Sequence, residues 1–178
     1  MKIVLIGIQG SGKSTQGNLL SIKLSVPYLS TGHIFREIAR EHTGLGRYVK
    51  ETLNAGYLIS DDNTLEIVNE YLARPEYQKG YILDGFPRTR VQAESFKNGI
   101  DHVIYINVSN KEALRRLSFR RDGRSDETEQ ALKKRIELFY RFTKPVLDYY
   151  KERDMLHEVN GERPIDEIHQ DICKILKI

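Results

Sequence analysis

The sequence has one cysteine and no tryptophan among its 178 residues, and it has no apolar run of membrane-spanning length. A single cysteine, Cys173, excludes an internal disulfide and a cysteine-rich zinc site. It lies in the helical pattern IHQDICKILKI, so we expect a buried thiol. The N-terminus enters a predicted strand at once, without the layout of a signal peptide. These features favour a cytoplasmic protein that has no membrane partner.

The chain also lacks a strong excess of either charge. It has 28 Lys and Arg against 25 Asp and Glu, a net charge of +3, which is too small to indicate nucleic acid binding. Aromatic and basic residues do not alternate as they do in RNA-binding segments. The five histidines show no common ligand spacing, so we expect no zinc. The length suits one compact domain.

Short apolar segments alternate with helical patterns, which predicts an α/β fold with a parallel sheet. The predicted strands cover residues 2–6, 26–29, 80–84, 102–108 and 155–159. The predicted helices cover residues 13–24, 61–73, 89–97, 111–121, 127–153 and 164–176. Asp61-Asp62-Asn63 supplies capping chemistry for the second of these helices, and Pro145 is expected to kink the long one. Two segments interrupt the alternation, a glycine-punctuated helical stretch at 30–60 and a charged loop at 121–126.

Residues 7–15 read GIQGSGKST and directly follow the first predicted strand. They match the phosphate-binding pattern of Gly7, four residues, Gly12, Lys13 and Ser14. Glycines let the backbone wrap an anion with its N–H groups pointing inward. The lysine adds positive charge for the β- and γ-phosphates, and the serine hydroxyl is placed to ligate Mg²⁺. The sequence therefore predicts a nucleoside triphosphate site.

A second motif, YILDGFPRT, ends a predicted strand at Asp84 and continues to Arg88. A carboxylate beside a phosphate loop suits Mg²⁺, and an arginine held by a proline could grip a second phosphate. Further on, arginines at 115, 116, 120, 121 and 124 are concentrated in ten positions. Such a cluster is typical either of a polyphosphate site or of a solvated basic face, and this segment alone favours neither. The position of Arg135 in its predicted helix likewise does not show whether its side chain lies in a site or at the rim of one.

Five motifs together resemble the adenylate kinases of the nucleoside monophosphate (NMP) kinase family. They read GIQGSGKST, LSTGHIFRE, GYLISDD, DGFPRTRVQAE and GRSDETEQALKKR, and they follow the family's order over nearly the whole chain. DGFPRT followed by Gln92 is the most specific. The resemblance implies transfer of the γ-phosphoryl group of ATP to AMP with Mg²⁺, giving two ADP, by a monomer.

The resemblance also implies a P-loop fold, in which helices flank a five-stranded parallel sheet within one compact domain. Its core would comprise residues 1–29, 61–120 and 127–178. A helical NMP-binding insertion would occupy residues 30–60. A very short lid would occupy residues 121–126.

Site residues carry over by position. The resemblance places ATP on Gly10, Ser11, Gly12, Lys13, Ser14, Thr15, Arg116 and Arg120. It places AMP on Thr31, Arg36, Gly56, Tyr57, Leu58, Ile59, Gly85, Arg88, Gln92, Arg124 and Arg135. Thr31 and Gln92 would face the adenine, whereas Arg36 and Arg88 would face the phosphate. The implied catalytic residues are Lys13, Asp84, Arg88, Arg124 and Arg135. Ser14 and Asp84 would hold Mg²⁺, partly through water.

The sequence departs from the family pattern at three places. His33 and Ser60 stand where aspartate and proline are frequent, and only three residues separate Arg120 from Arg124. Two alternatives stay open. A UMP/CMP kinase shares most of the motifs, although Thr31 and Thr89 favour AMP. A nucleotide-sensing or assembly protein that binds ATP without efficient turnover needs no arginines around the γ-phosphate.

Overall fold

A five-stranded parallel sheet forms the centre of the computed structural model, which describes residues 1–119 and 128–178. The strands are β1 (Lys2–Ile6), β2 (Tyr28–Ser30), β3 (Tyr81–Asp84), β4 (His102–Asn107) and β5 (Leu156–Asn160). Their order across the sheet is β2-β3-β1-β4-β5, and every neighbouring pair is parallel. The predicted parallel sheet flanked by helices is therefore confirmed.

Helices connect these strands. They are α1 (Lys13–Leu24), α2 (Thr31–Ile38), α3 (Gly44–Asn54), α4 (Asp61–Leu72), α5 (Arg90–Ser95), α6 (Asn110–Ser118), α7 (Glu129–Leu138), α8 (Lys144–Lys151) and α9 (Ile165–Leu176). A 3₁₀ turn covers Pro75–Tyr77. Side-chain hydroxyls of threonine or serine cap α3, α5, α6 and α7 by accepting a backbone N–H of the first turn. The predicted lid at 121–126 and its flanking residue Arg120 lie outside the described residues.

Hydrophobic side chains alternate along each central strand and so cover both faces of the sheet. On β1, Val4 and Ile6 belong to one buried cluster, whereas Ile3 and Leu5 belong to the other. The second cluster packs against α1 and α9 and includes Cys173's neighbour Ile172. Cys173 itself is a buried free thiol, as predicted.

Two local predictions were wrong. The stretch predicted as one helix from 127 to 153 is divided, because a π-helical turn at Phe139–Thr143 separates α7 from α8. Pro145 lies in the first turn of α8 and has no N–H to donate to the preceding turn. Helix α4 is not capped by Asp61, since Ser60 occupies the N-cap position. Asp61 instead accepts hydrogen bonds from Thr89 and Gln92, both at 2.8 Å.

Among the helices of the described residues, none has the length and apolar character required to cross a membrane.

The central strands should dominate the free energy of unfolding. Ile104 on β4 is fully buried, so Ile104→Ala is expected to cost about 2 to 5 kcal/mol, because the removed atoms leave a cavity. Urea denaturation measures this. Ile22→Ala on α1 is the matched control, since Ile22 is 78% exposed and its truncation should change stability by no more than about 0.5 kcal/mol. Equal losses in the two variants would contradict this account of the core.

Candidate active site

A cavity of about 360 Å³ opens at the carboxyl ends of β1 and β3. This is where ligands collect in open α/β sheets, because the connections that follow the strands meet there. Residues that the sequence assigned to the site line it: Gly10, Gly12, Lys13, Ser14, Thr15, Arg36, Tyr57, Leu58, Ile59, Asp84, Gly85, Arg88, Gln92 and Arg135. Ser11, Thr31, Gly56 and Arg116 are not part of the lining. Arg120 and Arg124 lie outside the described residues.

The loop between β1 and α1 has the backbone of an anion-binding loop. Gly10 and Gly12 adopt positive φ angles of 86° and 94°, where side chains are strained. A Cβ at Gly10 would also lie 2.7 Å from the carbonyl oxygen of Ala113. Lys13 begins α1 and folds back, so that its Nζ donates to the carbonyl oxygens of Gly7 and Ile8 at 2.8 and 2.9 Å. The loop therefore combines the positive end of the α1 dipole with an ammonium group.

A carboxylate faces this loop from β3. Asp84 is buried, and its Oδ2 accepts hydrogen bonds from the hydroxyls of Ser14 at 3.3 Å and Tyr28 at 2.7 Å. A carboxylate and a hydroxyl are the hard oxygen ligands that suit Mg²⁺ when phosphates and water complete its coordination. The described residues contain no cluster of three or more His, Cys, Asp or Glu side chains that would hold a metal without such help. Ser14 and Asp84 thus fit a magnesium–nucleotide complex.

Three guanidinium groups also converge on the cavity. Arg36 comes from α2, Arg88 from the turn after β3 and Arg135 from α7. Burial lowers the pKa of the Arg88 guanidinium, and the positive charges of Arg135 and Arg36 lower it further, although Asp84 opposes them. Arg88 is held by its Nε, which donates to the carbonyl oxygen of Gly85 at 2.7 Å. A site built this way attracts an anion, because an anion relieves the repulsion between the arginines.

Arg135 connects three parts of the fold. Its guanidinium donates to Oε1 of Gln9 at 3.3 Å and to the carbonyl oxygen of Leu53 at 3.0 Å. It therefore lies between the phosphate loop and the end of α3. The helical pattern alone left Arg135 undecided, whereas the family resemblance assigned it to the site, and the structure has Arg135 in the lining of the cavity.

The arginine cluster on α6 divides into two environments. Arg115 is exposed and donates twice to Glu112, each bond being 2.7 Å. Arg116 also pairs with Glu112 at 2.6 Å, but it turns toward the phosphate loop and donates to the carbonyl oxygens of Gly161 at 2.8 Å and Ser11 at 3.5 Å. The hydrogen bonds that Glu112 accepts from Arg115 and Arg116 lower its pKa to about 2. Arg115 belongs to a solvated face, whereas Arg116 buttresses the loop.

The residues expected around the adenine make internal hydrogen bonds. Thr31 is fully buried, and its hydroxyl donates to the carbonyl oxygen of Asp84 at 3.2 Å. The Gln92 amide accepts the backbone N–H of Arg88 at 2.7 Å and donates to Asp61 at 2.8 Å. Gly56 has a φ of 76°, and a Cβ there would lie 2.6 Å from the carbonyl oxygen of Ala131. Its role is to let α3 approach α7 closely.

Sequence reasoning missed several lining residues. They are Gln9, Tyr28, Ser30, Gly32, His33, Phe35, Leu53, Thr64, Phe86, Pro87, Phe139 and Thr143. Phe139 and Thr143 belong to the π-helical turn, and the Thr143 hydroxyl donates to the Arg88 carbonyl oxygen at 2.9 Å. Turns of this kind often lie at functional sites. The sequence signal that could have indicated this turn is the proline just beyond it, Pro145. His33, which replaces a frequent aspartate, is exposed and lies 3.2 Å from Glu37.

Comparison with known proteins gives one consistent result. The family model described as adenylate kinase matches residues 5–155. An adenylate kinase of Methanocella arvoryzae is 36% identical over 208 positions, covering 97% of this chain and 96% of the relative. Adenylate kinases of Clostridium perfringens and Bacillus velezensis are 35% and 34% identical over 212 positions, covering 99% of this chain and 98% of each relative. These alignments are longer than the 178 residues of this chain, so the relatives contain stretches that it lacks.

Removal of Arg88 should weaken the binding of anions in the cavity. Tripolyphosphate is expected to raise the thermal midpoint of the wild type, because a ligand that binds only the folded state stabilises it. In Arg88→Met we expect binding to weaken by about tenfold or more, since a charge-assisted contact is lost. Thermal denaturation over a tripolyphosphate titration measures both. Arg90→Met is the control, because Arg90 is exposed and pairs with Glu94. An unchanged response of Arg88→Met would place the anion elsewhere.

Proposed function

This chain belongs to the adenylate kinase family, and we propose that it is a phosphotransferase that moves the γ-phosphoryl group of ATP to AMP and gives two ADP. The observation that carries the proposal is the single cavity that joins a phosphate loop to three converging arginines. One anion site would suffice for a protein that only senses ATP. A phosphate loop and an arginine cluster within one cavity suit a reaction between two phosphate-bearing substrates.

We assign the donor to the phosphate loop. Backbone N–H groups of residues 10–15 and the ammonium of Lys13 would bind the β- and γ-phosphates. Arg116 supports this assignment by holding the loop at the carbonyl oxygen of Ser11. Ser14 and Asp84 would hold Mg²⁺, partly through water, and when bound it neutralises charge on the phosphate oxygens.

We assign the acceptor to the arginine side of the cavity. Arg36 and Arg88 would bind the AMP phosphate, and the adenine would lie toward Gln92 and Thr31. The remaining acceptor residues would be Gly56, Tyr57, Leu58, Ile59 and Gly85. Tyr57, Leu58 and Ile59 line the cavity where α3 gives way to α4, which supports this assignment.

The chemical step needs positioning more than covalent help. An oxygen of the AMP phosphate attacks the γ-phosphorus, the bond to the β–γ bridging oxygen breaks, and ADP leaves. Lys13, Arg88 and Arg135 surround the negative charge that spreads over the transferring group. Because the attacking oxygen belongs to an ionised phosphate, the proposal requires no dedicated general base.

We further propose how the segments divide the work. Residues 30–60 form the NMP-binding insertion, and residues 121–126 form a short lid that brings Arg120 and Arg124 to the donor. Residues 1–29, 61–120 and 127–178 form the core. The protein would act as a cytoplasmic monomer on ATP, AMP and ADP, without a membrane or nucleic acid partner.

A coupled assay of ATP with AMP, CMP, UMP or GMP tests the function. We expect turnover with AMP and much less with the pyrimidine monophosphates. Lys13→Met should abolish transfer but not folding, because the ammonium is exchanged for an uncharged group at hydrogen bonds to Gly7, Ile8 and Ser11 of the phosphate loop. Circular dichroism checks the fold. Preference for CMP or UMP would identify a UMP/CMP kinase, and ATP binding without any turnover would indicate a sensing or assembly role.

The short lid should make the site leaky to water. Three residues between Arg120 and Arg124 reach only about 10 Å when extended, too little for a layered flap. Because lid closure excludes water from phosphotransferase sites, we expect measurable ATP hydrolysis without AMP. A variant grafted with a longer loop at 121–123 should hydrolyse less ATP. Undetectable hydrolysis by the wild type, or no reduction by the graft, would show that water exclusion does not depend on lid length.

A further inference from the structure

Tyr28 occupies an unusual place between helix α1 and the sheet. It is the first residue of β2, and its register partner on β3 is Ile82, two positions before Asp84. Two residues further along the two strands, on the same face of the sheet, Ser30 of β2 is in register with Asp84 of β3. The phenol ring therefore runs along the carboxyl end of the sheet, and its hydroxyl reaches Oδ2 of Asp84 at 2.7 Å. Tyr28 also lines the cavity.

The ring occupies space that a glycine in α1 leaves open. Gly17 is buried in the middle of α1, where glycine costs about 1 kcal/mol relative to alanine. A Cβ at Gly17 would lie 2.7 Å from Cδ2 of Tyr28 and closer still to Cε2. The ring cannot swing aside without breaking its bond to Asp84. An unfavourable helix residue thus lies against a ring whose hydroxyl contacts the carboxylate.

A second hydroxyl reinforces the contact between Tyr28 and Asp84. The Ser14 hydroxyl donates to the same oxygen at 3.3 Å. Two donors from different elements, β2 and α1, therefore converge on Oδ2, which restricts rotation of the carboxylate.

We infer that Tyr28 is a positioning residue, which sets the orientation in which Asp84 meets the magnesium–nucleotide complex, and that the glycine at position 17 provides the room for it. The inference rests on the proposed phosphotransfer function. Tyr28 would act through Asp84, as hydrogen-bond partners of metal ligands commonly do.

The first test is the magnesium dependence of AMP phosphorylation. Tyr28→Phe removes only the hydroxyl, so we expect a loss of about tenfold in kcat or in apparent Mg²⁺ affinity, with KM for AMP unchanged. Tyr81→Phe is the matched control. Tyr81 lies on the same strand as Asp84, but its hydroxyl donates to the carbonyl oxygen of Gly99 at 3.0 Å, away from the cavity. Equal magnesium profiles for Tyr28→Phe and Tyr81→Phe would overturn the inference.

The second test needs no metal, nucleotide or activity. In the ligand-free protein, Tyr28→Phe should lower the thermal midpoint by about 5 °C, because a charge-assisted hydrogen bond is lost. In an Asp84→Ala background the same substitution should change the midpoint much less. Additive effects would show that the hydroxyl does not act on Asp84. A wild type without AMP kinase activity would refute the proposed function, and this cycle would still decide whether the contact exists.

The third test concerns the room at position 17. Gly17→Ala should displace the ring and reproduce the magnesium phenotype of Tyr28→Phe, although alanine is the better helix former. In the Tyr28→Phe background, Gly17→Ala should produce no further change in magnesium dependence. A Gly17→Ala enzyme with a wild-type magnesium profile would refute the part of the inference that concerns Gly17.

Discussion

The mutual repulsion of three arginines is the constraint around which the cavity is organised. Arg36, Arg88 and Arg135 come from segments far apart in the chain. Burial lowers the pKa of Arg88, and the positive charges of Arg135 and Arg36 lower it further. Such an arrangement costs free energy unless hydrogen bonds hold each group and a ligand balances the charge. The carbonyl oxygens of Gly85 and Leu53 supply part of that support. The three arginines therefore give the cavity a positive electrostatic potential where the phosphates of the two substrates would meet.

This constraint explains why backbone atoms contribute so much to the site. Carbonyl oxygens accept from Lys13, Arg88, Arg116 and Arg135, so that the charged side chains have fixed directions before any substrate arrives. Preorganised charges need little rearrangement during the reaction. The close approaches at Gly10 and Gly56 serve the same end, because they bring α6 and α7 against the loop and α3.

The sequence predicted the parts of the site that depend on local pattern. The limits of β1 and α1 and the phosphate loop follow from an apolar run, glycines and a lysine at fixed spacing, and the structure has these limits. Contacts between distant segments were not predictable in this way. Asp61 was expected to cap a helix but accepts a hydrogen bond from Gln92, and no local pattern indicates that the Tyr28 hydroxyl donates to Asp84. The π-helical turn was missed because a proline signals a disturbance without specifying its geometry.

The order of strands also has a consequence for synthesis. β1 is synthesised before the other four strands of the sheet, yet it lies at the centre of the sheet, and it pairs with residues 81–84 and 102–105. Until β4 has emerged, a nascent chain exposes an apolar strand with an open edge, which is prone to misassociation. Completion of the five-stranded sheet therefore requires strands to pair over long sequence separations, which makes folding slow. The strand that carries the phosphate loop is the first of the five to be made, but it gains its second neighbour only when β4 has been made.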